Sequence, residues 1–283
     1  MGLYRPQMTQ AGMSLTFSVD AINASGRQVC VEIPYEFPLT LHLDGHEIAT
    51  LMTLGTHPEE LVLGYLRNQG MIQVIEDVAS VMVNWEEETA RVATFHGNVG
   101  VDQPKTMTNR IVTSGCGQSM MFDCLLQSIY ATKLPTRKMR QSAIYSILRK
   151  LSDRNTIYRT AGSVHGCGLC TDSDVLFFVE DVGRHNAADV ISGRMWLERI
   201  SGEGKLLYTT GRLTSEIVIK AALMGISVLI SKSGTTRLGL ELARDLGLTM
   251  IGRVKKSRFL VYSGSENLIY DALSERAEVG NET

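Results

Sequence analysis

Lys205-Leu206-Leu207-Tyr208, the loop Thr209-Thr210-Gly211-Arg212-Leu213-Thr214, and then Ser215 to Met224 form the stretch that decides the fold. A short apolar run is followed by small polar residues and then by helical spacing, which reads as strand, loop and helix. The pattern continues downstream. Ser227 to Ile230 reads as a strand, Leu238 to Leu246 as a helix and Thr249 to Arg253 as a strand. Upstream, Val175 to Val179 reads as a strand and Ala187 to Arg199 as a helix. Strands separated by single helical crossovers predict an α/β class protein, with a largely parallel or mixed sheet covered on both faces.

The first half reads differently. Ser14 to Ala21 and Gln28 to Ile33 are extended, and Pro34 and Pro38 interrupt the next stretch. Leu39 to Leu43, a turn at Asp44-Gly45, and His46 to Leu54 make a hairpin. Thr56 is the expected cap of a helix running to Asn68, with Glu59 in the reciprocal position. Val78 to Trp85 and Thr89 to Phe95 read as strands joined by Glu86-Glu87-Glu88, and Pro135 to Leu151 as a helix. The Gly- and Pro-containing connection from His96 to Thr106 is the expected boundary. The expected division is a disordered tail (1–13), a smaller, mainly β subdomain (14–105), an α/β domain (106–262) and a C-terminal tail (263–283) packing back on the smaller subdomain.

Composition narrows the function classes. The chain has 283 residues, a formal net charge of −2, and 44% apolar against 20% charged residues, so nothing global points to nucleic acid or a membrane surface. No apolar run is long enough to span a bilayer, and no signal peptide is expected. Five cysteines in a chain of this length predict free thiols in a reducing cytoplasm rather than a disulfide framework.

Ligands of such sheets gather beyond the carboxyl ends of strands. Three loops fall there. In Glu180-Asp181-Val182-Gly183-Arg184-His185-Asn186, Arg184 and His185 could hold an anionic or purine-like ligand; a capped helix, with Asn186 as cap and Asp189 three places on, is the simpler reading. Gly211 and Arg212 in the second loop, and Ser233, Thr235 and Arg237 in the third, make a repeated phosphate seat at helix starts. Neither loop is a P-loop.

Sulfur supplies the other signal. Cys116, in Thr113-Ser114-Gly115-Cys116-Gly117-Gln118-Ser119, sits between an apolar run and a helix-like stretch. Unpaired helix N–H groups there would favour a thiolate, and Gly115 and Gly117 would leave it approachable; a structural thiol is the alternative. Cys30 and Cys124 read as core. Cys167 and Cys170, after His165, permit a redox dithiol, a metal clip with His165, or no chemical role. A deaminase-type zinc site is disfavoured, because no proline precedes Cys167 and the His57-Pro58-Glu59 triplet lies in the other half.

These blocks carry a resemblance. Glu180-Asp181-Val182-Gly183-Arg184-His185-Asn186-Ala187 resembles the signature of the formate dehydrogenase accessory protein family, FdhD. Thr113 to Gly117, Ala161 to His165, Gly211 to Glu216, Lys220 to Ile226, and Leu61 to Leu66 ahead of Gln69-Gly70 resemble other blocks of it, from about Leu39 to Tyr262. The resemblance implies a cytidine-deaminase-like three-layer domain with a mixed sheet, and a cytoplasmic, usually dimeric sulfurtransferase. Such a protein takes persulfide sulfur from a cysteine desulfurase and passes it to the molybdenum or tungsten bis-guanine-dinucleotide cofactor of formate dehydrogenase. It maps the sulfur carrier onto Cys116, and cofactor contacts onto the Arg184-His185-Asn186 and Gly211-Arg212 loops. Alternatives are a cofactor-binding chaperone that forms no persulfide, and a zinc-binding domain at Cys167 and Cys170. The family's Cys-Gly-x-Cys loop here ends in Ser119, which suggests that the second sulfur function has moved, with Cys167 and Cys170 as accessory thiols.

Overall fold

A computed structural model describes residues 3–97, 111–112, 134–256 and 258–272. Its first strand, β1 (Gln7–Met8), pairs in parallel with Ser80 and Val81. The reading of 1–13 as a tail therefore fails from Gln7 onward: Thr9 Oγ1 and the Ala11 N–H also donate to Glu59 Oε1, at 2.7 and 3.0 Å. β2 (Thr16–Ile22) and β3 (Gln28–Pro34) form a separate antiparallel ribbon. Cys30 lies exposed on that ribbon, because neither of its strands has a buried face, and the core reading of this residue is wrong.

β4 (Phe37–Leu43) and β5 (His46–Thr53) form the expected hairpin, with positive φ at both Asp44 and Gly45. Two such residues make the turn whose twist matches the flanking strands. Helix α1 (Pro58–Asn68) comes next. It has no side-chain cap: Glu59 is taken by the N-terminal arm, and Thr56 Oγ1 is buried without a hydrogen-bond partner among the described residues. β6 (Val78–Asn84), β7 (Thr89–Thr94) and β8 (Ile111–Val112) complete a sheet of order β1-β6-β7-β4-β5-β8.

β9 (Met139–Arg140) and α2 (Gln141–Arg154) replace the single helix expected from Pro135. After α3 (Thr156–Ala161), the second sheet begins with β10 (His165–Cys170) and β11 (Val175–Asp181). Next in the chain are α4 (Arg184–Leu197), β12 (Leu206–Thr209), α5 (Ser215–Leu223), β13 (Val228–Ser231), α6 (Arg237–Asp245), β14 (Thr249–Lys255) and β15 (Arg258–Ser263). The sheet order is β11-β10-β12-β13-β14-β15; β12, β13 and β14 are parallel and the other pairs antiparallel. The mixed sheet is thus as expected.

Alternation along these strands creates two cores. Cys167, Leu169, Leu207, Leu229 and Met250 face α4, α5 and α6. Cys170, Leu206, Tyr208, Val228, Ile230 and Ile251 face Ile144, Ile147 and Leu151 of α2. The first core continues without a break through α1 to Leu39, Leu41 and Val81 of the N-terminal sheet. Helices α1 and α4 meet through glycine: a Cβ on Gly64 would lie 1.7 Å from the Asp189 carbonyl oxygen, and one on Gly193 2.0 Å from that of Glu60. The final strand β16 (Leu268–Ile269) pairs with β9, and Asn267 Nδ2 donates to Thr249 Oγ1 at 2.9 Å. The described part of the C-terminal segment therefore packs on the second sheet's side and not on the N-terminal half. The apolar surface beside α2 is what Leu268 covers.

Candidate functional site

The ends of β11, β12 and β13 and the start of β10 lie along one edge of the second sheet. His165 is opposite Asp181, Cys167 opposite Thr209, and Thr209 opposite Ser231. The loops that leave this edge are stitched together by their backbones. Leu213 N–H donates to Gly234 O at 2.9 Å, Thr236 N–H to Leu213 O at 3.1 Å, and Thr210 N–H to Gly166 O at 2.9 Å.

Asp181 anchors the first loop. Its Oδ1 accepts from Gly183 N–H at 2.8 Å and Asn186 Nδ2 at 3.0 Å, and its Oδ2 from Thr53 Oγ1 at 2.6 Å and Leu54 N–H at 3.0 Å. Asn186 also donates to Met52 O at 2.6 Å. Asn186 is therefore not the helix cap. α4 begins two residues earlier, after Gly183, and Asn186 ties the loop to the N-terminal half. Its Nδ2 is committed to the protein.

Arg184 and His185 project from the first turn of α4. Gly211 has no side chain because a Cβ there would lie 2.9 Å from Arg184 Cβ and Cδ, so the glycine lets the arginine lie across the loop. His185 Nδ1 is 2.7 Å from Glu216 Oε2 on α5. That bond, against the opposing effect of burial, holds the Glu216 carboxyl below the usual range. Burial first, then the neighbouring basic groups with Arg184 foremost, push His165 below its ordinary value. His165 Nδ1 lies 3.4 Å from Thr210 Oγ1. Arg184, His185 and Arg212 thus lie near enough to His165 to act on it, and Glu216 is the carboxylate paired with His185. Glu216 belongs to this group, and only its place in the Gly211-to-Glu216 block hinted at it in the sequence.

The third loop contributes less than its composition suggests. Thr235 Oγ1 donates to Leu213 O at 3.0 Å, which fixes the loop. Ser233 is half-buried, and its N–H donates to Ser231 Oγ at 2.9 Å. Arg237 Nε donates to Glu241 Oε1 at 2.7 Å on a side chain that is 91% exposed.

The accessory-thiol and metal-clip readings of Cys167 and Cys170 do not fit the geometry. Both lie on a central strand, three residues apart, so their sulfurs enter opposite cores. Each is wholly buried, and burial pushes both thiols up, Cys170 to about 12. No cluster of three or more metal-ligating side chains occurs among the described residues. Cys116, Cys124 and Ser119 lie outside the described residues.

The chain is a mixed α/β scaffold with basic side chains at the strand ends of its second sheet, and no helix among the described residues is long and apolar enough to cross a membrane. Residues 34–269 match the FdhD/NarQ family, and the chain belongs to it. The sulfur carrier protein FdhD of Geobacillus kaustophilus is 32% identical over 245 residues, covering 84% of this chain and 90% of its own. That of Bacillus subtilis is 33% identical, covering 82% and 88%. A crystal structure described as a formate dehydrogenase accessory protein from Desulfotalea psychrophila superposes with a TM-score of 0.73 at 26% identity, covering 90% of this chain and all of that one.

Proposed function

We propose that this protein is a cytoplasmic sulfur carrier. It receives persulfide sulfur from a cysteine desulfurase on Cys116 and transfers it to the molybdenum or tungsten bis-guanine-dinucleotide cofactor used by formate dehydrogenase. The observation that carries the reading is that Arg184 and Arg212, from two different strand-end loops, both act on His165 at one edge of the second sheet, in a chain of this family. The cofactor is a substrate here. Its pyrophosphates need fixed cations, and guanidinium groups offer forked contacts suited to them. The Cys116 thiolate attacks the terminal sulfur of the donor persulfide; the donor leaves as a thiolate, and Cys116 keeps the sulfur as its own persulfide. Backbone stitching holds the loops that carry Arg184 and Arg212 against their neighbours, so both guanidinium groups start from a fixed main chain.

The test is intact mass after incubation with a cysteine desulfurase and cysteine. The wild-type chain should gain one sulfur atom and pass it on when the cofactor is added. Cys116→Ser should fold and gain none. Normal sulfur loading and delivery by Cys116→Ser would reject the assignment. Cofactor binding without any sulfur gain by the wild type would favour a chaperone.

A further inference from the structure

The His185–Glu216 pair leaves one end of the imidazole unused. Glu216 is held as a carboxylate, which only accepts hydrogen bonds. Nδ1 therefore carries the ring proton in the 2.7 Å contact, and in the neutral ring Nε2 is a bare acceptor. That nitrogen is buried and has no hydrogen-bond partner among the described residues, on a side chain only 15% exposed. Buried polar atoms are nearly always satisfied, so an orphan at a site edge asks for a ligand group. Phosphate oxygens cannot satisfy it, since they too are acceptors. An N–H or O–H of the ligand can.

We propose that His185 Nε2 accepts a hydrogen bond from the nucleoside part of the ligand, and that Glu216 is a positioning residue which fixes the ring in the accepting tautomer. This rests on the preceding reading that the site takes a phosphate-bearing nucleotide. The arginines then supply affinity for phosphate, and His185 supplies discrimination. Glu216 acts through His185 and touches no ligand.

The experiment is calorimetric titration of the full chain at about pH 8. The probes are guanosine diphosphate and, separately, inorganic pyrophosphate. Glu216→Gln offers an amide that can reverse the tautomer. It should weaken guanosine diphosphate binding about tenfold, the scale of one lost hydrogen bond, and leave pyrophosphate binding within about twofold. Nitrogen NMR of the His185 ring should show protonated Nδ1 and bare Nε2 in the wild type, and a changed tautomer in the variant. Equal loss for both probes, no loss for either, or a wild-type ring protonated at Nε2 would overturn the inference while leaving the phosphate site standing. A wild-type chain that binds neither probe would overturn the phosphate-site reading and this inference with it.

Discussion

Helices α4 and α5 face each other across two acid–base rungs, one turn apart. His185 and Asp189 are four residues apart on α4; Glu216 and Lys220 are four apart on α5. The outer rung, His185–Glu216, is partly open, with side chains 15% and 37% exposed. The inner rung, Asp189–Lys220, is 2% and 9% exposed and is fully paired. Lys220 Nζ reaches both Asp189 oxygens at 2.5 and 2.6 Å, and Asn68 Nδ2 adds a third donor at 2.6 Å. Ser192 Oγ in turn donates to Asn68 Oδ1 at 3.0 Å. The same chemistry therefore serves two ends. The saturated rung locks three helices in register, and the outer rung keeps an imidazole nitrogen with no hydrogen-bond partner among the described residues.

Removing one member of the inner rung should have the largest effect. Asp189→Ala leaves the Lys220 ammonium buried without its counter-ion and should cost about 3–5 kcal/mol. Urea unfolding measures it. The paired change Asp189→Leu with Lys220→Met should recover most of that loss, because it removes both buried charges. A single variant as stable as wild type would break the distinction between the rungs.

A smaller effect is expected at the sulfur below the site. Cys167→Ser places a hydroxyl in an apolar core and should cost about 1–3 kcal/mol without preventing sulfur loading. Native-state alkylation sharpens the contrast: Cys30 should react, and Cys167 and Cys170 only after unfolding. Fast native labelling of Cys167 would show that the inner face is open.

The smallest effect belongs to the outer rung. Glu216 is held below its ordinary range, so its contribution is present above the unfolded carboxylate value of about 4.3 and is lost as pH falls through the folded one. Solvent screening at this half-open position limits it to under about 1 kcal/mol. Glu216→Gln should flatten the acid side of the stability curve by that amount. A steeper acid slope in the variant would contradict the assignment.

The crossover pattern from Val175 to Arg253 makes the second sheet readable, because short wholly buried apolar strands alternate with polar turns and longer helical stretches. The Asp44-Gly45 hairpin is readable from its turn. His165–Cys170 does not read as a strand, since two glycines hide its alternation, and its cysteines then read as chemistry. Strand periodicity puts them on opposite faces, which sequence spacing alone could not reveal. Arg184, His185 and Arg212 are visible as loop residues. Glu216 and the Asp189–Lys220 pair depend on how α4 packs on α5, a contact between residues 31 apart. The capping role expected of Thr56 fails because the helix starts at Pro58 with His57 at the N-cap position, and Glu59 is bound by an N-terminal arm whose composition resembles a tail.

The glycine contact between α1 and α4 has a consequence for how the chain unfolds. With Gly64 and Gly193 placing main chain against main chain, the two halves have no slack layer along which to part. Melting one half strips the other of its inner wall, so heating should give a single calorimetric transition whose van't Hoff and calorimetric enthalpies agree. The loop that presents His185 hangs from Asp181, which bonds Thr53 and Leu54 across the same seam. A substitution that loosens the N-terminal half therefore slackens the Arg184-His185 loop from a distance, with every residue of that loop still in place.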